Sequence, residues 1–247
     1  MVTIRCKDVT FENIQAVIFD KDGTLEDSES FLRNLGQKRS RIIDAQIPGI
    51  GDPLLMAFGI NGDKLDPTGL MAVGSSLENE IAAAAYIAET GRGWLESRAI
   101  ARRAFEESDQ FLKDAAPSPL FVGSLEVLQF LFLAGLKLGI LSAATTSRVK
   151  AFVKRHQLSD YIQLEMGGDG DYSKPDPALF LQACQRLGVK PGATLMVGDS
   201  AGDIQMAREA GAAGCIGICW GKPEAAHLET ADVAISQLDE IQIVGNS

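Results

Sequence analysis

The most telling apolar segment near the start of the chain is Ala16 to Asp20, AVIFD. It is short, β-branched and aromatic, with no polar alternation, so it predicts a central strand of a parallel sheet buried on both faces. It ends in the polar turn Lys21-Asp22-Gly23-Thr24. Similar segments return after residue 118, at Leu136 to Ser142 (LKLGILS) and Thr194 to Asp199 (TLMVGD), with weaker ones at Tyr161 to Met166, Cys215 to Cys219 and Asp232 to Ile235. Helical faces separate them: Val149, Phe152 and Val153 form one, and Leu179, Phe180, Ala183 and Leu187 another. Strands alternating with helices of this length imply a parallel sheet covered on both sides.

Residues 27 to 118 follow a different pattern. Leu77 to Thr90 contains IAAAAYIA, rich in helix-favouring alanine. Trp94 to Lys113 places Ala101, Ala104, Phe105 and Leu112 at helical spacing. Pro48 to Gly74 is rich in glycine and proline and reads as loops with one short helix at most. Pro117 and Pro119 mark the return to the strand-and-helix pattern. The expected architecture is an α/β fold: a Rossmann-like parallel sheet core built from 1–26 and 119–247, with an all-helical domain inserted at 27–118.

Composition narrows the function. Lys and Arg number 23 against 33 Asp and Glu, a formal net charge of −10. Such a chain repels a polyphosphate backbone, which disfavours nucleic acid as a partner. The apolar stretch Val127 to Ala144 is interrupted by Gln129, Lys137 and two glycines, so it reads as a helix and a strand and not as a membrane span. The four cysteines, Cys6, Cys184, Cys215 and Cys219, form no CxxC pair, and only His156 and His227 accompany them. That argues against structural zinc and for a reducing, cytoplasmic compartment.

The chemistry-bearing residues lie at strand ends. Asp20 and Asp22 flank one residue at the end of the first strand. In extended chain, residues two apart point the same way, and two carboxylates so placed call for a cation or a shared proton. A DxD alone equally suits a polar turn. In Gly198-Asp199-Ser200-Ala201-Gly202-Asp203, Asp199 ends a strand and Asp203 follows four residues later, where a helix should begin. The same residues suit a helix cap and a first-turn acid. Ser142 closes LKLGILS before Ala143-Ala144-Thr145-Thr146. A hydroxyl there, followed by free backbone N–H groups, suits either a phosphate oxygen or an ordinary turn. Lys174, in Ser173-Lys174-Pro175-Asp176-Pro177, precedes a plausible N-cap at Asp176 and a first helical residue at Pro177. The alternative for Lys174 is a solvated side chain.

Taken together, DKDGTL at 20–25, ILS at 140–142, KPDP at 174–177 and GDSAGD at 198–203 resemble, in order, the four motifs of the haloacid-dehalogenase-like hydrolase superfamily. The insertion resembles the helical cap of its phosphoglycolate phosphatase-like branch. The resemblance implies a phosphatase acting on a small phosphorylated metabolite, with phosphoglycolate the leading guess. Asp20 would be the nucleophile and Asp22 the acid/base. Mg²⁺ would be held by the Asp20 side chain, the Asp22 backbone carbonyl and Asp199, with Asp203 supporting it directly or through water. Ser142, Ala143, Thr24 and Lys174 would bind the phosphoryl group. Dehalogenase members lack an acid equivalent to Asp22, because no leaving oxygen needs a proton, so Asp22 favours a phosphate ester. Many relatives carry Asn where Ala143 follows Ser142, which puts transfer of any one relative's substrate in doubt.

Cap residues are expected to set specificity. Arg33 and Arg92 are the candidates; Gly91 and Gly93 leave the Arg92 backbone free to approach a ligand. The Gly69 to Gly74 segment is a possible closing loop. Trp94 and Trp220 read as packing residues, and Cys215 and Cys219 as core. Two competing functions stand beside the phosphatase: a sugar phosphomutase of the same branch, and a catalytically silent binding or regulatory protein. No nucleic-acid or membrane partner is expected, and the protein is expected to be a monomer or homodimer. Glu26-Asp27 and Ala116 to Pro119 are the natural connections between the two parts.

Overall fold

The computed structural model describes residues 2–111, 117–221 and 226–244. Chain contacts divide it into two compact units, Met1–Asp27 with Leu120–Ser247, and Ser28–Pro119. Leu112, Lys113 and Ala116, named above, lie outside the described residues.

In chain order the elements begin with β1 (Val2–Cys6), β2 (Val9–Ile14) and β3 (Ala16–Phe19). Then come α1 (Glu29–Gln46), α2 (Gly51–Ala57), β4 (Ile60–Asn61), β5 (Lys64–Leu65), α3 (Leu70–Val73), α4 (Ser76–Glu89) and α5 (Trp94–Phe111). The chain returns through α6 (Ser124–Leu133), β6 (Lys137–Ser142), α7 (Thr146–Arg155), β7 (Leu164–Gly167) and α8 (Pro177–Leu187). It closes with β8 (Thr194–Gly198), α9 (Ala201–Glu209), β9 (Gly214–Ile218), β10 (Val233–Ile235) and β11 (Ile241–Val244).

The main sheet has six parallel strands in the order β10-β9-β8-β3-β6-β7. The most apolar strands lie at its centre: every residue of β3 and of β8 is buried. Val17 and Phe19 face one apolar layer with α6 and α7, and Ala16 and Ile18 face the other with α8 and α9. Burying each large side chain of this kind contributes about 1.5–3 kcal/mol. Phe19 is in register with Ile140 of β6 and Val197 of β8. Residues 20, 142 and 199 therefore emerge together at the carboxyl edge of the sheet, where open α/β sheets bind ligands.

A second sheet was not anticipated. β1 pairs antiparallel with β2 and with β11. Its local sequence, VTFENI in β2 for example, is short and mixed, and its pairing joins the two ends of the chain.

Among its described residues, the unit Ser28–Pro119 has helices and, as its strands, the two-residue β4–β5 pair. Its core gathers Leu35 and Ile43 of α1, Leu54 of α2, Ala83, Ala84 and Ile87 of α4, and Ala101, Ala104 and Phe105 of α5. α4 opens with a reciprocal cap between Ser75 and Glu78. The Pro48 to Gly74 stretch is more ordered than its composition suggests. Asp44 Oδ1 accepts from the N–H groups of Gly49 and Gly51, which starts α2, and Met71 of α3 is buried. Gly69 to Gly74 is thus a helical turn with its caps and not an open loop. Trp94 is 46% exposed, contrary to its reading as a packing residue. Among the described residues, no helix is long and apolar enough to cross a membrane.

Candidate active site

Asp20 follows the last residue of β3, and its N–H donates to the Val197 carbonyl, tying it to β8. The next residues fold into a tight turn: the Lys21 carbonyl accepts from the N–H groups of Leu25 and Glu26, and Gly23 N–H donates to the Glu26 carbonyl. Gly23 has φ of +78°, and a Cβ there would lie 2.0 Å from Asp199 Oδ2. Only glycine meets both demands. Thr24 is fully buried and its hydroxyl donates to Asp199 Oδ1 at 3.2 Å.

Asp199 follows β8, and Ser200 caps α9. The Ser200 hydroxyl accepts from Asp203 N–H at 3.2 Å, while Asp203 Oδ2 accepts from the Ser200 hydroxyl at 2.6 Å and from its N–H at 3.2 Å. This reciprocal cap turns the Asp203 carboxylate back toward the sheet edge. Gly198 leaves room for it, since a Cβ there would lie 2.5 Å from Asp203 Cγ.

Lys174 is buried, not solvated. Asp176 caps α8 by accepting from Ala178 N–H at 2.8 Å, with Pro177 in the first turn, so the loop delivers Lys174 in a fixed place. Its Nζ lies 2.5 Å from Asp20 Oδ1 and 2.6 Å from Asp203 Oδ1. Carboxylate oxygens of Asp20, Asp199 and Asp203 all fall within 4.8 Å of one another.

Charge dominates this cluster. Burial, with the neighbouring Asp203 and Asp22, pushes the Asp20 carboxyl up to about 7 despite the opposing Lys174 ammonium. Burial and the charges of Asp20 and Asp203 likewise raise the Asp199 carboxyl well above the usual carboxylate range. Burial opposes the charge on Lys174, but Asp20 and Asp203 outweigh it and raise its ammonium. Three carboxylates facing one ammonium leave an excess of negative charge on hard oxygen donors, and that donor set fits a divalent metal.

Asp22 is placed differently from Asp20. Its Oδ1 lies 2.5 Å from Lys21 Nζ, and its side chain is not among the three that converge. Ser142, also buried, accepts from Ala144 N–H at 3.1 Å, which orders the turn through Ala143. Beyond it, Asp169 accepts from the N–H and hydroxyl of Thr146 at the start of α7.

Residues 14–211 match the haloacid dehalogenase-like hydrolase family. The chain belongs to this family. Among curated relatives, it is 31% identical over 240 residues to "Probable phosphatase IndB" of Dickeya dadantii (strain 3937), covering 93% of this chain and 91% of that one. It is 28% identical over 250 residues to phosphoglycolate phosphatase of Shigella boydii serotype 4 (strain Sb227), covering 94% and 92%. Among solved structures, a "predicted phosphoglycolate phosphatase" from Haemophilus somnus 129PT shares the fold, with a TM-score of 0.69, 21% identity and coverage of 92% and 95%.

The hydrolase core thus gathers Asp20, Thr24, Lys174, Asp199 and Asp203 in direct contacts, with Ser142 on the same sheet edge. Arg33 and Arg92 belong to the other unit. Arg33 donates to the Asp63 carbonyl at 2.8 Å, and Arg92 to the Thr90 hydroxyl at 2.6 Å, with Glu96 3.8 Å away. Sequence reasoning missed several supports. Trp220 stacks on Phe121 with centroids 4.0 Å apart and donates its indole N–H to the Gly23 carbonyl at 2.9 Å, so its packing also fixes the turn. A His227 ring nitrogen lies 3.0 Å from the Asp199 carbonyl. Lys21 and Glu26 were passed over as side chains, although a lysine between two aspartates at a buried strand end calls for a counter-ion nearby.

Proposed function

We propose that this hydrolase is a Mg²⁺-dependent phosphomonoesterase that acts on a small phosphorylated metabolite through a phosphorylated Asp20. The observation that carries the reading is the buried convergence of Asp20, Asp199 and Asp203 around Lys174 at the carboxyl edge of the sheet. The curated relatives named as phosphatases support the same reaction class. They also make phosphoglycolate the first substrate to try.

Asp20, Asp199 and Asp203 would hold Mg²⁺, with the Asp22 backbone carbonyl. When bound, the ion would neutralise charge on the phosphoryl oxygens and on the carboxylates. The chain's own groups do the rest. Lys174, the Ser142 hydroxyl and the backbone N–H groups after Ser142 bind the phosphoryl oxygens. The hydroxyl of Thr24 fixes the orientation of Asp199. An Asp20 oxygen attacks phosphorus, forming an O–P bond as the ester P–O bond breaks. Asp22 gives its proton to the departing alkoxide. Asp22, now a carboxylate, takes a proton from water as that water attacks phosphorus, releasing phosphate and restoring Asp20.

The second unit, Ser28–Pro119, is read as a cap that selects substrate, with Arg92 and Arg33 as the groups for a carboxylate on it. Arg92→Ala should raise KM several-fold for a carboxylated substrate; unchanged kcat and KM would remove Arg92 from the site. The four cysteines, all free thiols in the structure, support a reducing, cytoplasmic setting. Phosphate release from a panel of phosphorylated metabolites, with Mg²⁺ and with chelator, tests the proposal. Release that requires the metal is expected, and its absence across the panel would overturn it.

A further inference from the structure

The turn after Asp20 contains a second charged cluster, separate from the converging carboxylates. Lys21 is only 6% exposed, unusual for a lysine. Its Nζ lies 2.5 Å from Asp22 Oδ1 and 2.7 Å from Glu26 Oε2, and 5.6 Å from the centroid of the Phe152 ring. Glu26 is equally buried, and its other oxygen lies 3.8 Å from a His156 ring nitrogen. The backbone reinforces the arrangement, because the Lys21 carbonyl accepts from Glu26 N–H at 2.9 Å. Lys21 is thus clamped at both ends, by the turn at its backbone and by Glu26 and Phe152 at its ammonium. The group it presents to Asp22 is fixed in place.

We infer that Lys21 is the positioning residue for Asp22, with Glu26 as the anchor that holds Lys21. The inference rests on the proposed role of Asp22 as the acid and base of phosphate-ester cleavage. Asp22 sits outside the metal-type cluster, with its side chain 17% exposed beside the buried Lys21. An aspartate there has several rotamers, and proton transfer requires one within hydrogen-bond reach of the leaving oxygen. The fixed ammonium selects among them. Lys21 itself transfers no proton in this account.

A positioning role for the acid has a signature that a merely structural role lacks. Protonation of the leaving group matters greatly for an aliphatic alkoxide and little for p-nitrophenolate. The informative quantity is kcat/KM, which reports the steps up to cleavage of the ester bond and not the later hydrolysis of phosphorylated Asp20. Wild type, Lys21→Met and Lys21→Met/Glu26→Leu would be assayed in saturating Mg²⁺ on esters ranging from p-nitrophenyl phosphate to alkyl phosphates. The double variant removes both charges of the buried pair, so it keeps the test open if Lys21→Met leaves Glu26 uncompensated and fails to fold. Losses in kcat/KM should be about twofold for p-nitrophenyl phosphate and about tenfold or more for alkyl phosphates, a fraction of what general acid catalysis commonly supplies. Lys21→Arg should restore most of the alkyl activity. A loss equal across leaving groups, or no loss, would overturn the inference. Wild-type release abolished in Asp20→Asn is the separate control on the parent reading: without it both readings fall, whereas with it a flat leaving-group series removes only Lys21.

Discussion

Gly23 and Asp199 are packed so closely that no side chain fits between them: a Cβ on Gly23 would lie 2.0 Å from Asp199 Oδ2. The contact joins the turn after β3 to the end of β8, and so sets the distance between two of the three converging carboxylates. Thr24 adds a hydrogen bond to the same aspartate from the next residue. Gly23→Ala places a β-carbon at positive φ and displaces Asp199. Mg²⁺ affinity should fall at least about tenfold and kcat at least about 100-fold, since small misplacements of reacting groups cost about that much. Calorimetric Mg²⁺ titration beside steady-state assays checks both.

Among the described residues, Lys174 is the one side-chain cation in contact with Asp20 and Asp203. Lys174→Met should lower kcat about 10²–10³-fold, the usual cost of removing a charge-stabilising group from an active site. It also strands two buried carboxylates, so the metal-free protein should lose about 3–5 kcal/mol of stability. Mg²⁺ should return more of that stability to the variant than to the wild type, because binding to the folded state alone stabilises it. Urea denaturation with and without Mg²⁺ measures the difference.

The start of α7 gives a pH prediction independent of the metal. Burial opposes the charge on Asp169, but its hydrogen bonds from Thr146 outweigh it and hold the carboxyl below the usual range. A folded-state value below the unfolded one means that the contribution is fully present above the ordinary carboxylate range and is lost as pH falls through the folded value. Wild type and Asp169→Ala should therefore differ in urea midpoint at pH 7, and the gap should close as pH falls below about 4. A constant gap would remove the ionised carboxylate as its cause.

The site was legible where local sequence decides geometry. Asp20 and Asp199 end unbroken apolar strands, and Asp176-Pro177 marks the helix start that fixes Lys174. Contacts made by residues distant in sequence left no such mark. β1 pairs with β11 across nearly the whole chain, and the indole N–H of Trp220 reaches Gly23 from the far end of β9. The glycine- and proline-rich stretch in the second unit hid α2 and α3 because helices that short form through side-chain caps such as Asp44 and through burial of Leu54 and Met71, not through propensity. Lys21 was overlooked because its partner, Glu26, comes near only after the turn closes.

The central claim is that Asp20 is the nucleophile, and phosphate release by Asp20→Asn in saturating Mg²⁺, measured beside wild type on the best substrate found, tests it most directly. The substitution removes the charge at nearly constant shape. The account predicts turnover reduced to background, with the variant still folded. Turnover within about tenfold of wild type, a difference of only about 1.4 kcal/mol in the barrier, would contradict it.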